Sequence, residues 1–164
     1  MRVIGGKYKR LHINTIEGQS TRPTTDKVKE SIFNSLQDVD GLGLDLFAGS
    51  GGLGIEALSR GINKVIFVDG NFKATKMIKE NLDLLKIPSS EYEVYKNDAI
   101  RALKALNKRE IQFDYIFLDP PYNKDLINKS LEKIEEFNLL SANGTIVCEF
   151  DKSENMGSNR FFWI

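Results

Sequence analysis

The residues Asp45-Leu46-Phe47-Ala48-Gly49-Ser50-Gly51-Gly52-Leu53-Gly54 are the clearest indication of the fold of this chain, and we call residues 47–54 the glycine loop. It follows an apolar run of strand type and precedes a segment with helical periodicity. Gly49, Gly51 and Gly54 match the pattern G-x-G-x-x-G, whose glycines permit a tight turn and let a ligand approach the backbone. Asp69 follows Gly49 by twenty residues, at the end of the next predicted strand. A carboxylate there can accept hydrogen bonds from ribose hydroxyls, so the sequence predicts a nucleoside-containing cofactor, with a plain tight turn as the alternative.

Strands and helices alternate along the rest of the chain. The spacing predicts helices over residues 26–36, 53–59, 72–85, 99–106 and 125–137, and strands over 42–47, 64–68, 91–95, 113–118, 145–150 and 160–164. Thr24 or Thr25 can cap the first helix. This order predicts an α/β fold, with a mostly parallel twisted sheet covered by helices on both faces. Ligands bind such sheets beyond the carboxyl ends of the strands.

The N-terminus reads as a small basic extension. Residues 2–14 predict a β-hairpin around Gly5-Gly6, which divides the chain into an extension over 1–24 and a main domain over 25–164. Residues 1–30 hold seven Lys and Arg against three Asp and Glu, a net charge of +4, and the remainder carries −4. This asymmetry favours a polyanionic partner for the extension, although a solvated surface gives the same pattern.

Composition excludes several classes of protein. The chain has 164 residues, 41% of them hydrophobic and 28% charged, so it can bury a core and is not wholly disordered. A single cysteine, Cys148, cannot form an intramolecular disulfide. A single histidine, His12, argues against a histidine metal site or a Ser-His-Asp triad, and we expect no metal. Apolar runs stay far below the roughly 18 residues of a membrane span, so we expect a cytoplasmic protein with no membrane contact.

Asp45 bears on which cofactor binds. It lies four residues before Gly49, at the strand end where the cationic amino-acid head of S-adenosylmethionine fits. A dinucleotide would place its pyrophosphate on the helix N-terminus, where the same carboxylate would repel it. The alternative role of Asp45 is to orient the loop backbone. Asp98 follows the third strand, where an adenine amino group needs an acceptor, but Asp is also a good helix cap.

A second motif, Asp119-Pro120-Pro121-Tyr122, follows the strand over 113–118. The two prolines stiffen the loop and remove two backbone donors, while their carbonyls remain acceptors. Asp119 and a proline carbonyl could accept hydrogen bonds from an amine, and Tyr122 could stack on its ring. The alternative is a proline-rich turn with a capping Asp. Beside a nucleoside site, we interpret the motif as a catalytic loop for a planar group that bears an amine.

Several ordered motifs over residues 1–150 resemble the bacterial RsmD family of Rossmann-like methyltransferases. They are Met1-Arg2-Val3-Ile4-Gly5-Gly6-Lys7-Tyr8, the stretch Thr21-Arg22-Pro23-Thr24-Thr25-Asp26-Lys27-Val28-Lys29-Glu30-Ser31-Ile32-Phe33-Asn34, the loop Asp45–Gly51, and Asp119–Tyr122. The resemblance implies methyl transfer from S-adenosylmethionine, with S-adenosylhomocysteine as product, to the N2 amine of a guanine in 16S ribosomal RNA, of the guanine 966 type. It also implies the naked RNA or a small-subunit particle as partner, and we expect a monomer.

The resemblance assigns roles residue by residue. In the cofactor site, Asp69 would bind the ribose, and Asp98 and Ala99 would contact the adenine. The methionine end of the cofactor would be held by Asp45, Phe47, Ala48, Gly49, Ser50 and Gly51. Asn71 is a further possible contact, because Gly70 stands where the family often has a charged side chain. The catalytic loop comprises Asp119, Pro120, Pro121 and Tyr122, and the RNA-binding residues are Arg2, Lys7, Lys9, Arg10 and Arg22.

Two other functions stay open at this stage. A DNA methyltransferase acting on adenine N6 or cytosine N4 shares the Asp-Pro-Pro-Tyr loop, but the chain has no room for a target-recognition domain. An NAD-binding oxidoreductase or a nucleotide-binding module shares the glycine loop, but Asp45 and the fourth-strand loop argue against both. The family fold ends in two antiparallel strands, whereas only residues 160–164 look strand-like after Phe150. We therefore expect an altered sheet edge, through an abbreviated tail or through residues beyond Ile164.

Overall fold

A computed structural model describes residues 1–15, 26–120, 124–150 and 160–163. The described helices are α1 (Asp26–Leu36), α2 (Gly52–Arg60), α3 (Phe72–Leu84), α4 (Ala99–Lys108) and α5 (Lys124–Glu136). The described strands are β1 (Leu42–Leu46), β2 (Lys64–Asp69), β3 (Tyr92–Lys96), β4 (Phe113–Leu118), β5 (Leu140–Phe150) and β6 (Arg160–Trp163). The predicted cap at Thr24 or Thr25, and Arg22, Pro121, Tyr122 and Ile164, lie outside the described residues.

The strands form one sheet in the order β3-β2-β1-β4-β5-β6. Strands β1 to β5 are parallel, and β6 pairs with β5 in the antiparallel direction. The predicted α/β fold is therefore confirmed, and the residues described after Phe150, 160–163, form an antiparallel strand. Because β1 lies between β2 and β4, chain order reverses at the carboxyl ends of β1 and β4, where ligands bind in such sheets.

Apolar side chains cover both faces of this sheet. Alternate residues of β2 point to opposite faces, so Val65 and Phe67 pack with α1, α2 and α3, while Ile66 and Val68 pack with α4. Leu44 and Leu46 of β1 join the second cluster. Asp45 therefore lies on the side of the sheet that α2 covers. None of the described helices is both long and apolar enough to cross a membrane.

Strand β5 begins five residues earlier than the predicted strand over 145–150. The pairing shifts between Phe113↔Leu140 and Tyr115↔Thr145, so β5 bulges there. A Cβ at Gly144 would lie 2.6 Å from Leu140 Cδ1 and 3.0 Å from the Phe113 carbonyl oxygen. The bulge therefore favours glycine, and the turn-forming residues around Gly144 are not typical of a strand, so the sequence predicts a later start.

The predicted N-terminal β-hairpin is only partly present. The segment doubles back, with backbone hydrogen bonds from Val3 to Leu11 and from Ile13 to Met1, but its one described ladder contact is the bridge Arg2↔His12. The prediction of two short strands is wrong, because the backbone amides between the paired residues form hydrogen bonds to α2 instead. We call residues 1–15 the N-terminal segment.

Glu56 of α2 is the main anchor of the N-terminal segment. Its carboxylate accepts hydrogen bonds from the Ile4 and Gly5 amides, each at 2.9 Å. It also pairs with Arg60 at 2.8 Å and with Lys29 of α1 at 3.7 Å. Lys29 and Glu56 are fully buried, and burial lowers the pKa of Lys29 while the charge of Glu56 raises it. The pair therefore fastens the N-terminal segment to α1 and α2.

We predict that Glu56→Ala lowers the free energy of unfolding by about 3–5 kcal/mol, because it removes the buried carboxylate partner of the Lys29 ammonium, which keeps, among the described residues, only its bond to the Arg2 carbonyl. Denaturant unfolding followed by circular dichroism measures the change. Glu80→Ala, at an exposed position of α3, is the matched control and should stay within about 0.5 kcal/mol of the parent. Equal effects of the two substitutions would contradict the anchoring role.

Candidate functional site

Three carboxylates converge at the carboxyl ends of β1, β2 and β4. Asp45 lies in β1, Asp69 ends β2, and Asp119 follows β4. Burial raises the pKa of Asp45 well above the usual range of an aspartate, the hydrogen bond from Gly54 opposes this, and the charges of Asp119 and Asp69 raise the pKa further. The charges of Asp69 and Asp119 thus both act on Asp45. In the described residues, no group of three or more His, Cys, Asp or Glu side chains is arranged to hold a metal ion.

The glycine loop joins β1 to α2 through left-handed backbone. Phe47, Gly49 and Gly51 have φ angles of 64°, 60° and 87°, a region that glycine adopts readily and phenylalanine does not. A Cβ at Gly51 would touch Ile78 and Ile55 at 3.3 and 3.4 Å. At Gly49, a Cβ would meet no atom of the described chain within 4 Å. The loop backbone is therefore packed on one side and open at Gly49, as close approach of a ligand requires.

Asp45 orients the loop in this structure. Its side chain is buried, with 2% of the residue exposed, and Oδ2 accepts a hydrogen bond from the Gly54 amide at 2.9 Å. A Cβ at Gly54 would lie 2.3 Å from the Phe67 ring and 3.0 Å from Asp45 Oδ2, so glycine allows α2 to approach the sheet. The backbone-orienting role considered for Asp45 is thus present, and its contact with the methionine end of a cofactor stays a prediction.

Asp69 holds two backbone amides. Oδ2 accepts from Gly49 and Oδ1 accepts from Asn71, each at 2.9 Å. A carboxylate offers about four lone-pair sites, so each oxygen can accept a second hydrogen bond. This arrangement points the carboxylate between the glycine loop and the start of α3. It is suited to two neighbouring ribose hydroxyls.

The predicted adenine side of the site is formed by two helix N-termini. Asn71 caps α3 by accepting from the Lys73 amide at 2.8 Å, and Asp98 caps α4 by accepting from the Arg101 amide at 3.1 Å. The Asn97 amide donates to the Asp69 carbonyl at 3.0 Å, which ties the end of β3 to the end of β2. Ala99 is buried at the first position of α4. The capping alternative for Asp98 is thus present, and adenine contacts at Asn71, Asp98 and Ala99 stay predictions.

The first half of the Asp-Pro-Pro-Tyr loop is described. Asp119 is half-buried and Pro120 is buried, directly after Leu118, which is in register with Leu46 of β1 and Cys148 of β5. Burial, with a further contribution from Asp119, raises the pKa of the Cys148 thiol to about 12. Asp119 therefore lies at the reversal point of the sheet, beside the glycine loop.

The predicted RNA-binding residues do not all lie at this edge. The N-terminal segment runs along α2: Met1 reaches Gly52 at its start, and the Lys7 amide donates to the Ser59 carbonyl near its end. Helix α2 has nine residues, about 13 Å at 1.5 Å per residue. The turn that carries Lys7, Lys9 and Arg10 thus lies about one helix length from the glycine loop.

Arg2 lies nearer the start of α2 and forms an exposed ion pair with Asp26 at 3.0 Å. Lys7 is half-exposed and lies 3.7 Å from Glu91. Lys9 and Arg10 are exposed. The structure therefore separates these cations into one near the predicted site and three at the distant turn.

Sequence analysis missed Asn81, a buried residue of α3. Its amide nitrogen donates to the Ser50 carbonyl at 3.0 Å and to the Asn14 carbonyl at 2.9 Å, and its oxygen accepts from the Asn14 amide at 2.8 Å. The signal was available, because Asn81 falls between Ile78 and Leu82 on the apolar face of α3. Glu56 is likewise a polar residue among the apolar residues of α2, which could have marked it as a buried functional or structural position.

Comparison with known proteins agrees with this arrangement. The family model Conserved hypothetical protein 95 matches residues 1–162. The "Putative rRNA methyltransferase YlbH" of Bacillus subtilis is 53% identical over 154 residues, which cover 93% of this chain and 83% of that protein. The "Ribosomal RNA small subunit methyltransferase D" of Haemophilus influenzae is 35% identical over 156 residues, which cover 94% of this chain and 80% of that protein.

A solved structure, "Putative methyltransferase yhhF" from Escherichia coli, superposes with a TM-score of 0.79 and 30% identity, over 91% of this chain and 80% of that one. The family match spans the N-terminal segment, the glycine loop and the Asp119 loop together. The chain therefore belongs to the Conserved hypothetical protein 95 family, the RsmD family of S-adenosylmethionine-dependent methyltransferases.

Proposed function

We propose that this protein methylates the N2 amine of a guanine in 16S ribosomal RNA, of the guanine 966 type, acting as a cytoplasmic monomer on the RNA or on a small-subunit particle. The relatives' names support the coarser statement, methylation of ribosomal RNA. The resemblance of the N-terminal and catalytic motifs supports the guanine N2 position.

The observation that carries the proposal is the placement of Asp45, Asp69 and Asp119 at the ends of three neighbouring strands, with Asp69 bonded to the glycine loop and Asp45 to the first turn of α2. S-adenosylmethionine carries a cationic amino group and a sulfonium, which relieve repulsion among carboxylates. A pyrophosphate would add negative charge at the same place. The residues present therefore fit S-adenosylmethionine and disfavour a dinucleotide.

Each group of residues has a task in this proposal. When bound, S-adenosylmethionine supplies a methyl group that its sulfonium activates toward nucleophiles. Asp69 accepts hydrogen bonds from the ribose, and the open backbone at Gly49 admits the ligand. Asp119 and the Pro120 carbonyl accept hydrogen bonds from the guanine amine, whose lone pair is otherwise delocalised into the ring. Alignment of amine and methyl group can lower the barrier by about 7–11 kcal/mol.

The exposed turn of the N-terminal segment extends the RNA contact. Lys7, Lys9 and Arg10 lie about 13 Å along α2 from the glycine loop. We propose that these cations bind phosphates remote from the target base. Such contacts add affinity and orientation without reading the base.

The first test is transfer of labelled methyl groups from S-adenosylmethionine to unmodified small-subunit particles, naked 16S RNA and duplex DNA, with nucleoside analysis of each product. We expect label as N2-methylguanosine in RNA, and the better substrate identifies the assembly state. Label in DNA as methylated adenine or cytosine would contradict the RNA substrate while retaining the amine chemistry of the Asp119 loop. Label at another RNA position would contradict guanine N2.

We predict that Asp119→Ala lowers the rate of transfer by about 10²–10³-fold, by analogy with the loss of one preorganised partner of developing charge. Affinity for S-adenosylhomocysteine, measured by calorimetry, should stay close to that of the parent. Asp83→Ala, at an exposed position of α3, is the control. Near-normal turnover of Asp119→Ala would contradict the catalytic role.

We predict that Lys9→Gln with Arg10→Gln raises KM for RNA and leaves kcat unchanged, because the turn lies far from the reacting groups. The slope of log affinity against log salt concentration should become shallower by about 1–2, for up to two lost phosphate contacts. Lys104→Gln with Lys108→Gln, two exposed positions on α4, removes the same charge elsewhere. Equal effects of the two double variants would show that only net charge matters.

A further inference from the structure

Asn81 links the glycine loop to the N-terminal segment from a buried position. None of its surface is exposed, and its amide makes three hydrogen bonds of 2.8–3.0 Å, two as donor and one as acceptor. Burial of an amide costs free energy unless such bonds are made. The position faces the apolar core beside Ile78 and Leu82, where a hydrophobic side chain would serve packing alone. The free energy cost of burying the amide is therefore offset by the bonds it makes.

One of these bonds holds the glycine loop. The Ser50 carbonyl accepts from Asn81, and Ser50 lies between Gly49 and Gly51, both in left-handed conformation. Asp69 holds the neighbouring Gly49 amide, but its carboxylate is also the proposed ribose ligand. Asn81 lies on the helix behind the loop, so it can hold the loop without itself meeting the cofactor.

The other two bonds fix the N-terminal segment. Both the amide and the carbonyl of Asn14 bond to Asn81. At the other end of the segment, a Cβ at Gly52 would lie 2.8 Å from Met1 Sδ. The proposed RNA-binding segment is thus linked to the glycine loop through Asn81 and contacts the first residue of α2 directly.

We propose that Asn81 is a positioning residue, which holds the Ser50 carbonyl and so keeps the glycine loop in its cofactor-binding shape. The bonds between Asn81 and Asn14 of the N-terminal segment hold the Asn81 side chain in place for this role. This inference rests on the proposed function only where it treats the N-terminal segment as an RNA-binding element. Loss of the amide leaves the Ser50 carbonyl and both Asn14 backbone groups without these partners. The loop then populates other shapes, and cofactor affinity falls because only a fraction of the molecules is competent to bind.

The test compares Asn81→Ala with two controls. Asn14→Ala keeps the three bonds, because Asn14 contributes only backbone groups. Leu82→Ala removes the neighbouring core side chain, so it lowers stability without removing any of the three bonds. We expect Asn81→Ala to raise Kd for S-adenosylhomocysteine, and KM for S-adenosylmethionine, by about tenfold, with kcat changed less than about threefold. Both controls should stay within about twofold in Kd.

Asn81→Asp keeps only the bond from the Asn14 amide, because its carboxylate can still accept that bond but can donate neither to Ser50 nor to the Asn14 carbonyl. We expect its cofactor affinity to fall as in Asn81→Ala. If Asn81→Ala does not fold, Asn81→Ser carries the same comparison. A Kd within twofold of the parent, or an equal loss in Leu82→Ala, would overturn the proposal. Absence of methyl transfer to RNA by the parent would instead contradict the proposed function, while the binding comparison would still test Asn81.

Discussion

The site depends on the need to hold a backbone loop in left-handed conformations while one side of it stays open. Phe47, Gly49 and Gly51 turn the chain from β1 into α2, and the loop cannot keep this shape through regular secondary structure. Side chains from the neighbouring elements supply the missing partners: Asp69 at the end of β2 and Asn81 in α3 bond to the loop, and Asp45 bonds to the first turn of α2. The order of the strands makes this possible, since β1 lies between β2 and β4.

The same arrangement explains the charge of the site. Carboxylates are good acceptors for loop amides, but together they repel one another, and burial raises the pKa of Asp45. Such a group of acids is stable as a loop scaffold and becomes more favourable when a cationic ligand joins it. In the proposed site, structural support and cofactor preference are therefore two results of one placement, and the two roles considered for Asp45 are compatible.

Local patterns predicted the strands, the helices and the strand ends where Asp45, Asp69 and Asp119 lie. This was possible because apolar periodicity and strand termini depend on residues that are close together in sequence. The patterns could not give what depends on contacts distant in sequence. The N-terminal segment reads as a hairpin of two strands, yet its backbone bonds to Glu56 and Ser59, more than fifty residues away. Asn81 was missed for the same reason, although a polar residue on an apolar helix face could have marked it.

The direction of the N-terminal segment has a consequence for how an RNA methyltransferase reaches its base. A segment that ran outward from the glycine loop would place its cations over the target nucleotide. This segment runs parallel to α2 and turns back beyond Ser59, so most of its cations lie at the opposite end of the helix. In the proposed function, affinity for the RNA backbone and chemistry at the base would then be provided by opposite ends of one helix. Glu56 holds the Ile4 and Gly5 amides along α2, and Asn81 holds Asn14 beside the glycine loop, so the N-terminal segment is fixed at both places.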